Sequence, residues 1–143
     1  VFFVPKFSHS LKEQTVNAKK VYCIDSGLRN AVSFKTTQDN GKIMENVIYT
    51  ELKRRNKEVY YWKDRYSHEV DFAVKQGNKI TELIQACWSL ENEETKKRET
   101  RSLLTAMKEL KTANATIISR EPHYAQEGEQ IQYKQLSEWL LTP

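Results

Sequence analysis

Two carboxylates between Lys42 and Arg55 fall where a charge needs company. Ile43, Met44, Val47, Ile48 and Leu52 recur at helical spacing and form one broad apolar face. On the same wheel Glu45 lies beside Leu52 at the edge of that face, and Glu51 falls inside it. A carboxylate taken out of water costs several kcal/mol unless a cation, hydrogen-bond donors or a metal ion meets it. A third acid, Asp71, sits in the alternating run Val70–Val74, where period two places it on one face with Ala73 and Lys75. The same parity groups Leu83, Gln85 and Cys87 on the run that follows. Cations cluster at Lys53-Arg54-Arg55, at Lys63 and Arg65, and at Lys96-Lys97-Arg98. Such runs form solvated faces and can also meet phosphate groups, in contacts that weaken with salt. Cys23, Cys87, His9, His68 and His123 lack zinc-site spacing, and no GxxxxGK[ST] loop is present to cradle a nucleotide.

These side chains need elements to position them. Val1–Val4 reads as a short strand, and the polar stretch after Pro5 has no period, as in a linker or the end of a preceding domain. Val21–Ile24 is a short apolar run, with Asp25-Ser26 as a cap for a short helix over Gly27–Val32. After the Asp39-Asn40-Gly41 breaker comes the amphipathic helix Lys42–Arg55, its closing cations suiting the helix dipole. Glu58–Trp62, Val70–Val74 and Ile80–Trp88 read as three strands of an antiparallel meander, with a tight reversal at Gly77-Asn78. Glu91–Thr112 follows as a long helix with Leu103, Leu104, Met107 and Leu110 as its apolar stripe. That helix is a crossover, so the strand Thr116–Ser119 is expected to run parallel to its neighbour. Ile131–Tyr133 and the amphipathic turns at Leu136, Trp139 and Leu140 close a mixed α/β sheet with helices on both faces.

At 143 residues, 38% hydrophobic and 29% charged, the chain has the size of one domain with a proper core. It lacks a run of about 18 apolar residues, so no membrane partner is expected. Two cysteines make no disulfide framework, which suits reduced thiols and a cytoplasmic location. The net charge of +4 is compatible with nucleic acid without requiring it. The chain opens inside an apolar strand on Val1 rather than on methionine, and we read it as part of a longer protein.

The order helix Glu45, strand Asp71, strand Gln85-Ala86-Cys87 resembles the PD-(D/E)xK nuclease superfamily. The stretches Lys20–Leu28, Glu45–Leu52, Glu69-Val-Asp-Phe72 and Leu83–Trp88 look like the C-terminal domain of a prokaryotic or archaeal-type AAA ATPase family. The resemblance implies a restriction-endonuclease-like core over residues 20–143, with residues 1–19 as a linker or the end of a winged-helix region. It implies that the parent chain's own ATPase and winged-helix domains are partners, and that ATP binds only in that upstream part. It also implies that Glu45, Asp71 and Gln85 are metal ligands for Mg or Mn, with a lysine helping to activate water. Here the pattern departs: Gln85 stands for an acid and Cys87 for the lysine. Gln brings an oxygen but no charge, and a neutral thiol brings no cation. Lys75, placed by alternation on the Asp71 face, is the candidate replacement. Three readings follow: a degraded nuclease-fold module that binds DNA or a partner; an active metal-dependent DNA endonuclease using Glu45, Asp71, Gln85 and Lys75; and a protein-interaction or homo-oligomerisation domain. For the first two, Lys53, Arg54, Arg55, Lys63, Arg65, Lys96 and Lys97 are the candidate nucleic-acid contacts.

Overall fold

The computed structural model describes residues 1–25 and 40–143. In chain order the elements are β1 (Phe2–Val4), α1 (Leu11–Val16), β2 (Lys20–Tyr22), α2 (Asn40–Arg54), β3 (Glu58–Lys63), β4 (Glu69–Gln76), β5 (Lys79–Cys87), α3 (Glu93–Leu110), β6 (Ala115–Ser119), β7 (Gln132–Gln135) and α4 (Leu136–Leu141). The helix expected at Gly27–Val32 lies outside the described residues.

The β-branched and aromatic runs in mid-chain form the meander that their alternation predicts. The main sheet has the order β3-β4-β5-β6-β7, antiparallel as far as β5 and parallel from there to β7. Gly77 turns the β4–β5 hairpin at φ +62°, a backbone conformation that side chains with a Cβ rarely adopt. Asn92 caps α3, its side chain accepting from the amides of Glu94 and Thr95, and Lys111 ends the helix in the left-handed region. The crossover through α3 makes β5 and β6 parallel.

Each sheet face has its own apolar layer. Met44, Ile48 and Leu52 of α2 belong to one, with Phe72, Val74, Ile84, Ile118 and Trp139. Leu103 and Ala106 of α3 belong to the other, with Val70, Ala73, Leu83 and Ile117. The result is a mixed five-stranded sheet flanked by helices. No described helix is long and apolar enough to cross a membrane.

The first nineteen residues pack into the same body. β1 and β2 pair antiparallel as a separate two-stranded sheet, and Val4 and Phe7 are buried in the two layers. Pro5–Phe7 runs along the outer edge of β3: the Phe7 amide donates to the Tyr61 carbonyl at 2.7 Å, and the Tyr61 amide to the Pro5 carbonyl at 3.1 Å.

Glu51, the acid inside the α2 apolar face, finds cations rather than metal. Arg54 Nε and Nη2 and Arg55 Nε each donate to its carboxylate at 2.7 Å. The Arg54 hydrogen bonds, with those of Arg55 and against burial, hold the Glu51 carboxyl at about 2. Arg55 also donates to the carbonyls of Trp139 at 2.8 Å and Thr142 at 2.6 Å, and its guanidinium lies 4.5 Å from the Trp139 ring centroid. It therefore ties α4 to α2. Arg55→Ala should lower the unfolding free energy by about 2–3 kcal/mol near neutral pH, measured by urea denaturation. Because the folded carboxyl is depressed, the Glu51 contribution is full above the ordinary carboxylate range and fades as pH falls towards about 2. The gap between wild type and Arg55→Ala should narrow along the same path.

Candidate functional site

A β-bulge in β4 sets the geometry. Tyr60 pairs with Ala73 and Trp62 with Val70, so Asp71 and Phe72 together face the single residue Tyr61. The extra residue shifts the alternation. Val70 and Ala73 point to the α3 layer, Phe72 and Val74 to the α2 layer. Asp71 turns towards the α2 side, where it meets Lys20.

Lys20 is the centre of the cluster. Its ammonium lies 3.2 Å from Glu45 Oε1, 2.7 Å from Glu69 Oε1 and 2.9 Å from Asp71 Oδ1. β2 is seated to deliver it: the Asn46 side chain accepts from the Cys23 amide at 2.8 Å and donates to the Cys23 carbonyl at 2.7 Å. Tyr22, two residues along on the same face, stacks on Tyr49 with ring centroids 4.4 Å apart and donates its hydroxyl to Glu45 Oε1. Below, the Tyr61 ring centroid is 5.6 Å from the Lys20 ammonium, and Lys63 stands 3.5 Å from Glu69 Oε2. A cavity of about 320 Å³ opens beside the cluster, lined by Lys20, Tyr22, Lys42, Glu45, Asn46 and Glu69 among others.

The charges are interlocked. Burial pushes the Asp71 carboxyl up and the nearby Glu45 adds to this, while Lys20 pulls the other way; the net direction is upward. For Lys20, burial lowers the ammonium, but the charges of Asp71 and Glu45 and its hydrogen bonds to Glu69 and Asp71 outweigh it, holding it above the ordinary lysine value. Burial and Glu45 together raise the Tyr22 phenol, so it remains a hydrogen-bond donor.

On the other face, Gln85 has a different task. The β4–β5 ladder continues as far as Phe72–Ile84, after which Gln85–Cys87 pair with β6. Across the gap, side chains replace the ladder bonds. Gln85 Oε1 accepts from the Asp71 amide at 3.0 Å, and Asp71 Oδ2 accepts from the Ala86 amide at 3.0 Å. Gln85 Nε2 donates to Glu99 Oε2 at 2.6 Å, and Arg98 holds the other Glu99 oxygen. Cys87 is buried beside Leu90 and Leu103 as a core residue. Its thiol is pushed up to about 11 by burial and then by Glu99, which keeps it neutral near pH 7.

The structure thus brings Glu45 and Asp71 together and parts them from Lys75. That lysine remains with Ala73 on the α3 side, 3.3 Å from Glu58 and over the Tyr60 ring. The expectation that it shares a face with Asp71 fails because strict alternation does not survive the bulge. The Mg or Mn ligand set does not fit the side chains as placed. Glu45 and Asp71 point at an ammonium, and the Gln85 carbonyl is taken by a backbone amide. Among the described residues, no group of three or more His, Cys, Asp or Glu is arranged to hold a metal. The candidate phosphate contacts are dispersed. Arg54 and Arg55 serve Glu51, Lys96 lies over the Tyr133 ring, Arg65 over Tyr66, and Lys53 and Lys97 are exposed on helices covering opposite sheet faces.

Sequence reasoning passed over Lys20, Glu69 and Glu99. Lys20 and Glu69 stand first in two of the motif stretches, which was the available signal. Glu99 precedes Leu103 by four positions and Ala106 by seven, the spacing of the buried stripe.

Residues 40–139, from the start of α2 into α4, match the family model described as a domain of unknown function (DUF4143). The chain belongs to the DUF4143 family. It is 37% identical over 121 residues to the uncharacterized protein MJ1544 of Methanocaldococcus jannaschii, a match covering 82% of this chain and 26% of that protein. The chain therefore spans about a quarter of the length of this relative. No solved structure matches. The DUF4143 match holds Glu45, Glu69, Asp71, Gln85 and Glu99, whereas Lys20 and Tyr22 precede it.

Proposed function

We propose that this DUF4143 domain is a restriction-endonuclease-like module that no longer cuts, and that it binds DNA as an appendage of an AAA-type ATPase. The observation that carries the reading is Gln85. At the position where the nuclease motif calls for a metal-binding acid, this side chain bridges the gap between β4 and β5 and is hydrogen-bonded at both ends. Cys87, in place of the lysine, is a neutral core thiol. The mixed sheet and the order of Glu45, Asp71 and Gln85 support the parent architecture. The net charge of +4 supports an anionic target.

Active endonuclease is the second reading, and Lys20 is what favours it. A lysine 2.9 Å from Asp71 replaces the one missing at Cys87. Supercoiled plasmid and branched DNA incubated with the domain in Mg²⁺ or Mn²⁺, beside an Asp71→Ala control, separate the two. We expect no nicking above that control and a DNA mobility shift that weakens steeply with salt. Cutting that Asp71→Ala abolishes would establish the enzyme instead. Absence of both cutting and shift would overturn the DNA assignment in favour of a protein-interaction domain.

A further inference from the structure

We propose that Lys20 is the resident cation of this pocket, its ammonium holding the place a divalent metal takes in a metal-dependent nuclease and keeping such ions out. The comparison with a metal site rests on the nuclease-fold reading above; the ammonium's position is the geometry already described.

An ammonium has three protons to donate. Here three carboxylates from two elements, Glu45 on α2 and Glu69 and Asp71 on β4, each place an oxygen 2.7–3.2 Å from it. The lysine is held from several sides: by the Asn46 clamp on Cys23, by the Tyr61 ring, and by Tyr22 on the same Glu45 oxygen. A hard divalent ion seeks carboxylate oxygens at about 2.0–2.6 Å. The oxygens it would need are those on the ammonium, so lysine and metal exclude each other. A cation fixed to the chain needs no supply from solution. The pocket is therefore complete without metal, the ammonium's three protons being committed to the three carboxylates.

Removing the charge should open the seat. Terbium is a suitable probe, because the Tyr22 and Tyr61 rings stand close enough to sensitise its luminescence. Wild type should show no saturable tyrosine-sensitised signal. Lys20→Gln should gain one, competed by Mn²⁺, with affinity at least about tenfold above wild type, roughly 1.4 kcal/mol. Lys20→Arg, which keeps the charge, should stay dark. If Lys20→Gln folds only when Mn²⁺ is added, that recovery supports the proposal equally. If it stays unfolded, Lys20→Gln combined with Glu69→Gln carries the test, with a smaller but saturable gain expected at the remaining Glu45 and Asp71 carboxylates. A wild-type signal lost in Asp71→Asn would overturn the proposal, as would a folded charge-free variant that gains nothing. Either result without DNA cutting sinks this proposal alone, whereas cutting by wild type sinks the non-catalytic reading.

Discussion

Lys20→Met should lower the unfolding free energy by about 3–5 kcal/mol at neutral pH in metal-free buffer, the usual scale when one partner of a buried ion pair is removed. The side chain is about one-fifth exposed and Asp71 about one-tenth, so solvent gives the orphaned Asp71 carboxylate little help. Methionine keeps the length of the stem and its contact with Tyr61, which isolates the charge. The pH dependence follows from the directions of the shifts. In wild type Lys20 is raised, so its contribution is complete below the ordinary lysine range and fades only in strong alkali. Asp71 is raised as well, so its burial costs stability as pH climbs from the ordinary carboxylate range through its folded value. Without Lys20 that second effect grows. Urea denaturation of Lys20→Met should therefore show a deficit that shrinks steadily as pH is lowered from about 7.5 to about 5. A deficit independent of pH would mean that lost packing, and not lost charge, explains it.

The second large effect concerns an apparent repair. Gln85→Glu introduces the acid that the resemblance to a nuclease motif calls for, yet it should damage the protein. Gln85 Nε2 now donates to Glu99 Oε2 at 2.6 Å, and a carboxylate there would face Glu99 with no proton between them. The repulsion should raise the pKa of one of the two by about 2–3 units, a cost of roughly 3 kcal/mol at about pH 7.5. Once protonated, the introduced carboxyl can still accept from the Asp71 amide and donate to Glu99, so the loss should nearly vanish at about pH 4.5. Adding Glu99→Gln should restore stability at neutral pH to within about 1 kcal/mol, since the amide then lies on the helix and the carboxylate on the strand. Thermal unfolding of the four proteins in the cycle at both pH values checks this. If Gln85→Glu is neutral at about pH 7.5, Glu99 does not oppose it.

Periodicity made the frame legible. Alternation in Glu58–Trp62, Val70–Val74 and Ile80–Trp88 gave the meander, and the helical stripe of Leu103 and Met107 gave the crossover that makes β6 parallel to β5. The wheel that placed Glu45 and Glu51 at an apolar face foretold partnered carboxylates, and both have them. Asp71 and Glu45 do converge. What sequence hid was phase and distance. A bulge inserts one residue without leaving a mark in composition, so counting by twos carried Lys75 to the wrong side. Lys20 begins a three-residue strand after a stretch with no period, and its partners lie far along the chain. A polar residue announces no direction. The segment read as a linker lacked periodicity because Val4 and Phe7 anchor it singly, each in a different layer.

The strip Pro5–Phe7 lies along β3 as a short guard rail. An edge strand with free amides and carbonyls is a template for another chain, and β3 is rich in aromatic side chains. By occupying the Tyr61 amide and carbonyl, with a proline at its start, the strip prevents further growth of the sheet on that side. The span matched by the family, residues 40–139, leaves that strip out. A chain trimmed to that span would lose Lys20 and bare a sticky β3 edge, making it prone to stack into insoluble aggregates.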